Sequence, residues 1–338
     1  MIASSIKKVV DGSNLTAAEV EAAMDEILAG TATPAQIAAF VIALRMKGES
    51  STEIAAAASS MRRRCEAVRP KVSGPLLATA GTGGDGLHTF NISTAAAIVA
   101  AASGVAVAKH GNRAVSSKAG SADVLEALGV RIDLDANAVA RCIEDVGIGF
   151  LFAPSHHAAM RHAAPVRREL GVRTLFNLLG PLANPASATH QVVGVFDASR
   201  VEQLAEALGV LGLEAAWVVC GEGSLDEVSP SGPTRVAALE GGTVRTFELT
   251  PADFDLPSVP LEALRGGDAQ ENAAIISRVL AGEPGPARTA VVLNAAAGLV
   301  VAGHASDPKE GAAQASQALD NGSAARTLAR WAAYTQDT

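Results

Sequence analysis

The sequence predicts an α/β protein in two parts: a small all-helical N-terminal domain over residues 1–72 and a large α/β domain over residues 73–338 with a mostly parallel central sheet. Three observations carry this prediction. About the first seventy residues repeat apolar side chains at helical spacing, with no strand-like run between them. From Pro75 onward short apolar runs alternate with helical segments, the pattern of strands joined by crossover helices. Between the two regimes stands Ala80-Gly81-Thr82-Gly83-Gly84-Asp85-Gly86, where four glycines in six residues exceed what a surface turn needs.

Thr16 and Glu19 set a capping box for a first helix with Val20, Met24, Ile27 and Leu28 on one face and Gly30 at its end. Thr33 caps a second, with Pro34 at its first position, an apolar face of Ile37, Phe40, Val41 and Leu44, and Gly48 as its stop. Ser50 with Glu53 opens a third, running through Ala55 to Ala58 toward Arg62. Three short amphipathic helices need a partner for their apolar faces, which predicts a small helical domain or a dimer surface.

In the larger part, Pro75 to Ala80, Val105 to Ala108, Ile148 to Phe152, Gln191 to Phe196 and Ala215 to Cys220 read as buried strands. Ala95 to Ser103, Ala122 to Leu128, Asn137 to Val146 and Ser199 to Leu208 read as the helices between them. Arg235 to Leu239 and Thr243 to Leu249, separated by Gly241-Gly242, predict a hairpin that adds an antiparallel edge. Helices near Gln270 to Ala281, Val291 to Ala302 and Gly311 to Leu319 follow. Ser155 to Leu170 reads as one helix that Pro165 must kink or end.

Composition narrows the function classes. Of 338 residues, 49% are hydrophobic, enough for an ample core. A net charge of −8 with 3% aromatic residues provides neither the electrostatic footprint nor the stacking platforms of a nucleic-acid binder. Cys65, Cys142 and Cys220 form no C-x-x-C pair, so thiols in a reducing compartment are expected rather than a disulfide framework or a zinc site. No long apolar run follows Lys7 and Lys8, and the longest apolar stretch, Ala95 to Ala108, is broken by Ser103 and Gly104. Neither a signal peptide nor a membrane span is expected, and the expected location is the cytoplasm.

A strand, a glycine turn and a helix start make a phosphate cradle, because backbone N–H groups approach the ligand and the helix N-terminus adds partial positive charge. Gly81, Gly83 and Gly86 fit the G-x-G-x-x-G spacing, but the acidic residue expected about 20 positions later is missing, and Lys109 and His110 stand in that region. The P-loop pattern fails because Leu87 and His88 follow Gly86. Thr89, Asn91, Ser93 and Thr94 lengthen the cradle, while Asp85 suits a sugar hydroxyl or the loop's own N–H groups. Lys109 to Ser121 brings four potential cations and several hydroxyls to a second strand end, donors for a polyanion from the other side. A third strand end carries Asp226 and Glu227, and Mg²⁺ takes one or two such carboxylates with waters and phosphates. His156, His157 and His162 form no H-E-x-x-H pattern, so zinc is not indicated. Arg167 or Arg168, beyond Pro165, is placed to pair with a carboxylate.

Together Gly81 to Asp85, Asn91-Ile92-Ser93-Thr94, Lys109-His110-Gly111-Asn112-Arg113, Arg173 to Pro185 and Asp226-Glu227 resemble the anthranilate phosphoribosyltransferases, in order and across nearly the whole chain. The resemblance implies a nucleoside phosphorylase/phosphoribosyltransferase-like fold whose helical domain is completed by the segment around residues 165–187. It implies a Mg²⁺-dependent homodimeric transferase of tryptophan biosynthesis, which joins anthranilate to 5-phosphoribosyl 1-pyrophosphate (PRPP) and releases pyrophosphate. Carried over by motif, Gly81, Gly84, Asp85, Thr89, Asn91, Ser93, Thr94, Lys109, Asn112, Ser117 and Ser121 would surround PRPP. Gly81, Asn112 and Arg167 would contact anthranilate, and Ser93, Asp226 and Glu227 would serve the metal.

This chemistry asks for metal, donors and alignment rather than a protein nucleophile, and no Ser-His-Asp set or G-x-S-x-G elbow is present. The residues leave open whether His110 or another group accepts the proton of the amine. A pyrimidine nucleoside phosphorylase, similar in architecture, should carry Lys-His-Ser where this chain has Lys109-His110-Gly111. A nucleic-acid-binding relative should be basic and lack the glycine loop.

Overall fold

The computed structural model describes residues 1–114 and 118–337. The chain opens with four helices, α1 (Ile2–Val10), α2 (Ala17–Leu28), α3 (Pro34–Lys47) and α4 (Ser51–Arg63). Thr16, Thr33 and Ser50 cap their helices as expected, Thr16 and Ser50 through capping boxes with Glu19 and Glu53, and Thr33 through a box with Gln36 that the sequence reading did not name. Helix α1 was not expected from the sequence. It is nine residues long with Ile2 and Val9 buried against its neighbours, too short for a periodic signal to stand out.

The second part supplies β1 (Leu76–Gly81), α5 (Ile92–Ala102), β2 (Ala106–Gly111), α6 (Ser121–Ala127), α7 (Ala136–Val146) and β3 (Ile148–Phe152). Three short helices follow, α8 (Ala153–His156), α9 (Ala164–Leu170) and α10 (Leu175–Leu182), and then β4 (His190–Gly194), α11 (Val201–Val210) and β5 (Ala215–Gly221). The hairpin β6 (Thr234–Glu240) and β7 (Thr243–Leu249) precedes α12 (Ala269–Leu280), α13 (Pro286–Val301), α14 (Pro308–Asp320) and α15 (Ser323–Asp337). The seven strands form one sheet in the order β3-β2-β1-β4-β5-β6-β7. The first five are parallel and β6 and β7 are antiparallel, so the mostly parallel sheet with an antiparallel edge is the one the sequence predicts.

Strand order reverses between β1 and β4. At such a switch point the connections leave in opposite directions and open a crevice at the carboxyl ends of the strands, where the glycine loop begins. One face of the sheet is buried under α5 and α12 to α15, in a core that includes Ile98, Val99, Val291, Leu299 and Trp331. The other face is continuous with the helical bundle through Leu204, Val218 and Ala237, which share a core with Phe40, Leu44, Ile54, Leu175 and Leu179. Helix α9 packs on α3, and α10 on α3 and α4, so part of the sequence between β3 and β4 lies against the first helices of the chain.

Three expectations need correction. Ser155 to Leu170 is not one helix: α8, a 3₁₀ turn over Ala158–His162 and α9 replace it, and Pro165 lies in the first turn of α9 instead of ending a helix. Helix α5 starts at Ile92, so Ser93 and Thr94 belong to its first turn. The C-terminal helix α15 was missed, since its exposed face is charged and its buried side rests on few large residues, Trp331 chief among them. Among the described residues no helix is long and apolar enough to cross a membrane.

Candidate active site

Strand β2 extends through Gly111, so Lys109 and His110 lie in the strand and alternation sends them to opposite faces. Lys109 turns toward α5. Its ammonium, in a residue only 2% exposed, donates to the Thr79 carbonyl at 2.6 Å and to Ser93 Oγ at 3.1 Å. Burial lowers its pKa, against the opposing pull of Glu227 and Asp226. His110 turns toward α10, where Nδ1 lies 3.1 Å from the Gly180 carbonyl. Such a contact fixes the proton on Nδ1 and leaves Nε2 a bare acceptor, which has no partner among the described residues. Burial, with His157 next in weight at a ring distance of 5.2 Å, holds His110 down to about 3. His110 is therefore neutral at pH 7, a hydrogen-bond acceptor but a weak base.

The loop after β5 reaches over the end of β1. Asp226 Oδ2 accepts from the Gly83 N–H at 2.6 Å, and Glu227 Oε1 accepts from the Ser93 N–H at 3.1 Å. Both carboxyls are pushed up, Asp226 by burial and the neighbouring Asp85, Glu227 by burial and Asp226. The close approach depends on Gly194 at the end of β4: a Cβ there would collide with the Asp226 carbonyl. Asp85 also accepts from the Leu87 N–H at 3.1 Å, which steadies the glycine turn. Thr82 Oγ1 and Thr94 Oγ1 are buried and have no partner among the described residues, an incomplete hydroxyl set beside the loop.

The structure thus joins Gly81, the glycine loop, Ser93, Lys109, Asp226 and Glu227 by direct contact at one end of the sheet. Thr89 bridges to Arg265, and Asn91 donates to the Ala119 carbonyl at 3.3 Å, linking the first loop to the second. Asn112 Oδ1 accepts from the Arg113 N–H, and Ser121 Oγ lies 3.5 Å from the Asn112 carbonyl, which closes the base of the second loop. Ser117 lies outside the described residues. Arg167 stands apart on α9, half-buried, with its guanidinium 5.7 Å from the Phe176 ring centre and no acidic partner among the described residues. Burial lowers its pKa, and Arg168 is exposed. A surface cleft of about 360 Å³ between Arg113, Arg131, Phe152 and Gln336 contains none of the expected metal or acceptor residues, and Arg113 there is already paired with Asp123 and Glu126.

Two buried asparagines that the sequence did not single out hold this site. Asn272 on α12 donates to Asn91 Oδ1 at 2.9 Å while accepting from the Gly267 N–H, which fixes the direction of the Asn91 amide. Asn294 on α13 accepts from the Val228 N–H at 2.8 Å and donates back to its carbonyl, which pins the residue after Glu227. The available signal was a lone amide within an apolar helix, as at Asn294 in Pro286–Val301.

Three strand-end loops converge on one buried lysine and a carboxylate pair, beneath a helical bundle: the fold and site are those of a glycosyl transferase. The helical bundle domain of the glycosyl transferase family matches residues 3–65, and the a/b domain of that family matches residues 73–325. The anthranilate phosphoribosyltransferase of Symbiobacterium thermophilum is 53% identical, over 98% of this chain and 96% of that one. The crystal structure of the Thermus thermophilus enzyme superposes with a TM-score of 0.93 at 48% identity, covering 98% of this chain and 99% of that one. The Saccharomyces cerevisiae enzyme, in complex with PRPP and Mg, superposes with a TM-score of 0.89 at 29% identity, covering 100% and 98%. The chain belongs to the anthranilate phosphoribosyltransferase family.

Proposed function

We infer that the chain transfers the phosphoribosyl group of PRPP to the amine of anthranilate, giving N-(5-phosphoribosyl)anthranilate and pyrophosphate in tryptophan biosynthesis. One observation carries the reading within the site: Lys109, the Ser93 hydroxyl and the Asp226-Glu227 pair meet directly beside the glycine loop.

The donor set fits Mg²⁺. Ser93, Asp226 and Glu227 offer hard oxygen ligands, and both carboxyls are pushed up first by burial and then by a neighbouring carboxylate, a penalty on their charged forms that a cation would offset. Among the described residues no group of three or more His, Cys, Asp or Glu could hold a metal; Mg²⁺ takes one or two protein carboxylates and completes its shell with waters and phosphates. Bound there, Mg²⁺ would supply counter-charge for the pyrophosphate.

The chain's own residues do the rest. The glycine loop and the N-terminus of α5, whose Gly83 and Ser93 N–H groups are held by Asp226 and Glu227, present partial positive charge to the phosphates, and Lys109 adds a buried positive charge beside them. Arg167, with no acidic partner among the described residues, takes the anthranilate carboxylate, and Gly81 and Asn112, at the strand ends, contact the same substrate. His110, its pKa held to about 3 and its ring buried on the face of β2 opposite Lys109, stays a neutral imidazole, and the amine attacks the ribose with its own lone pair. We assign residues 1–72 with the segment around 165–187 to one domain and the remaining residues from 73 onward to the other.

The apolar side chains of Ile37, Phe40, Val41 and Leu44 are buried within the chain's own core and do not form a free dimer surface, so the homodimer rests on the family resemblance alone. Light scattering at micromolar concentration should give twice the mass of the chain, and the mass of one chain would refute it. Its free thiols and phosphorylated substrate suit the cytoplasm. Omission assays test the function: anthranilate should be consumed only when PRPP and Mg²⁺ are both supplied. Equal activity with thymidine and phosphate would instead identify a nucleoside phosphorylase.

A further inference from the structure

We propose that Arg173 is a positioning residue of the donor site, through which the helical bundle fixes the glycine loop; this rests on the reading that the loop binds PRPP. Gly83 is held from two sides. Its N–H donates to Asp226 at 2.6 Å, and its carbonyl accepts from Arg173 Nη2 at 2.7 Å. The two peptides so held flank Gly83, where φ is +68°, and the second joins it to Gly84 at +83°, a stretch with little conformational preference of its own. Without the clamp its N–H groups would have to be ordered by the ligand, which weakens binding.

Arg173 is itself fixed. Its guanidinium lies 4.3 Å from the ring centre of Phe196, just beyond β4, and a Cβ at Gly84 would fall on it. Its main-chain carbonyl accepts from Arg45 in the last turn of α3. A continuous path therefore runs from α3 through Arg45, Arg173 and Gly83 to the carboxylate of Asp226. Arg173 also lies six residues beyond Arg167, so the segment that carries the carboxylate-reading arginine carries the clamp on the donor loop as well.

The test is PRPP affinity, measured by titration calorimetry with Mg²⁺, together with Michaelis constants for both substrates. Arg173→Ala should raise the Kd and KM for PRPP about tenfold while changing the KM for anthranilate much less. Phe196→Leu, which frees the guanidinium, should act in the same direction, and the double variant should be no worse than Arg173→Ala alone. Arg173→Lys, keeping a donor but not the stacked plane, should recover part of the affinity. An unchanged PRPP affinity in Arg173→Ala overturns the inference, as does equal weakening of both substrates or full additivity with Phe196→Leu. A wild-type protein that binds no PRPP overturns the reading of the loop itself, and the inference with it.

Discussion

Replacing Asp226 and Glu227 together by Ala should lower the rate of phosphoribosyl transfer by roughly 10² to 10⁴ and abolish its response to Mg²⁺. The pyrophosphate would then leave without its counter-charge, and the Gly83 and Ser93 N–H groups would lose their acceptors. On stability the same change has two opposed effects, since it removes two hydrogen bonds and also two carboxyls whose charged forms are penalised by burial. Both carboxyls have folded pKa values above their ordinary ones, so their ionised forms at neutral pH oppose folding, and the stability they contribute below the unfolded pKa is lost as pH rises through the folded value. Relative to the parent, the double variant measured without Mg²⁺ should gain in melting temperature as pH rises through about 7 to 8, because it lacks the two groups whose contribution is lost there. A variant that keeps its rate and its Mg²⁺ dependence would show that the carboxylates do not hold the metal.

Arg167→Ala should act on the other substrate. A carboxylate that loses a charged hydrogen-bonding partner loses about 1.5 to 3 kcal/mol, which corresponds to roughly a 10- to 150-fold rise in the KM for anthranilate. The KM for PRPP should change little, because among the described residues Arg167 has no ion pair with the glycine loop and lies against the Phe176 ring in the neighbouring helix. Steady-state kinetics with each substrate varied in turn would decide. Equal weakening toward both substrates would mean that Arg167 shapes the site without reading the acceptor.

Much of the architecture was legible because its signals are local. The three capping boxes fix helix starts by a four-residue spacing, and the parallel strands are short apolar runs bounded by glycine. The donor loops were legible for the same reason: a strand end followed at once by glycines or polar residues has few structural explanations. What stayed hidden is non-local or fragmentary. The register of β2 decides that Lys109 and His110 face opposite sides, and it depends on pairing with β3 as far as Gly111, not on any feature of the loop. Asn272 reaches Asn91 across 181 residues and Asn294 reaches Val228 across 66, distances over which no spacing rule operates. The stretch from Ala153 to Leu182 breaks into short helices with Pro165 and Pro181 inside two of them, which erases the period that a longer helix would print.

The most direct test of the account is the stoichiometry of the overall reaction with PRPP, Mg²⁺ and anthranilate. Anthranilate consumed, pyrophosphate released and phosphoribosylated amine formed should rise together, one for one, and all three should stop when Mg²⁺ is chelated. Release of pyrophosphate without loss of anthranilate, or cleavage of thymidine by phosphate at a comparable rate, would contradict it.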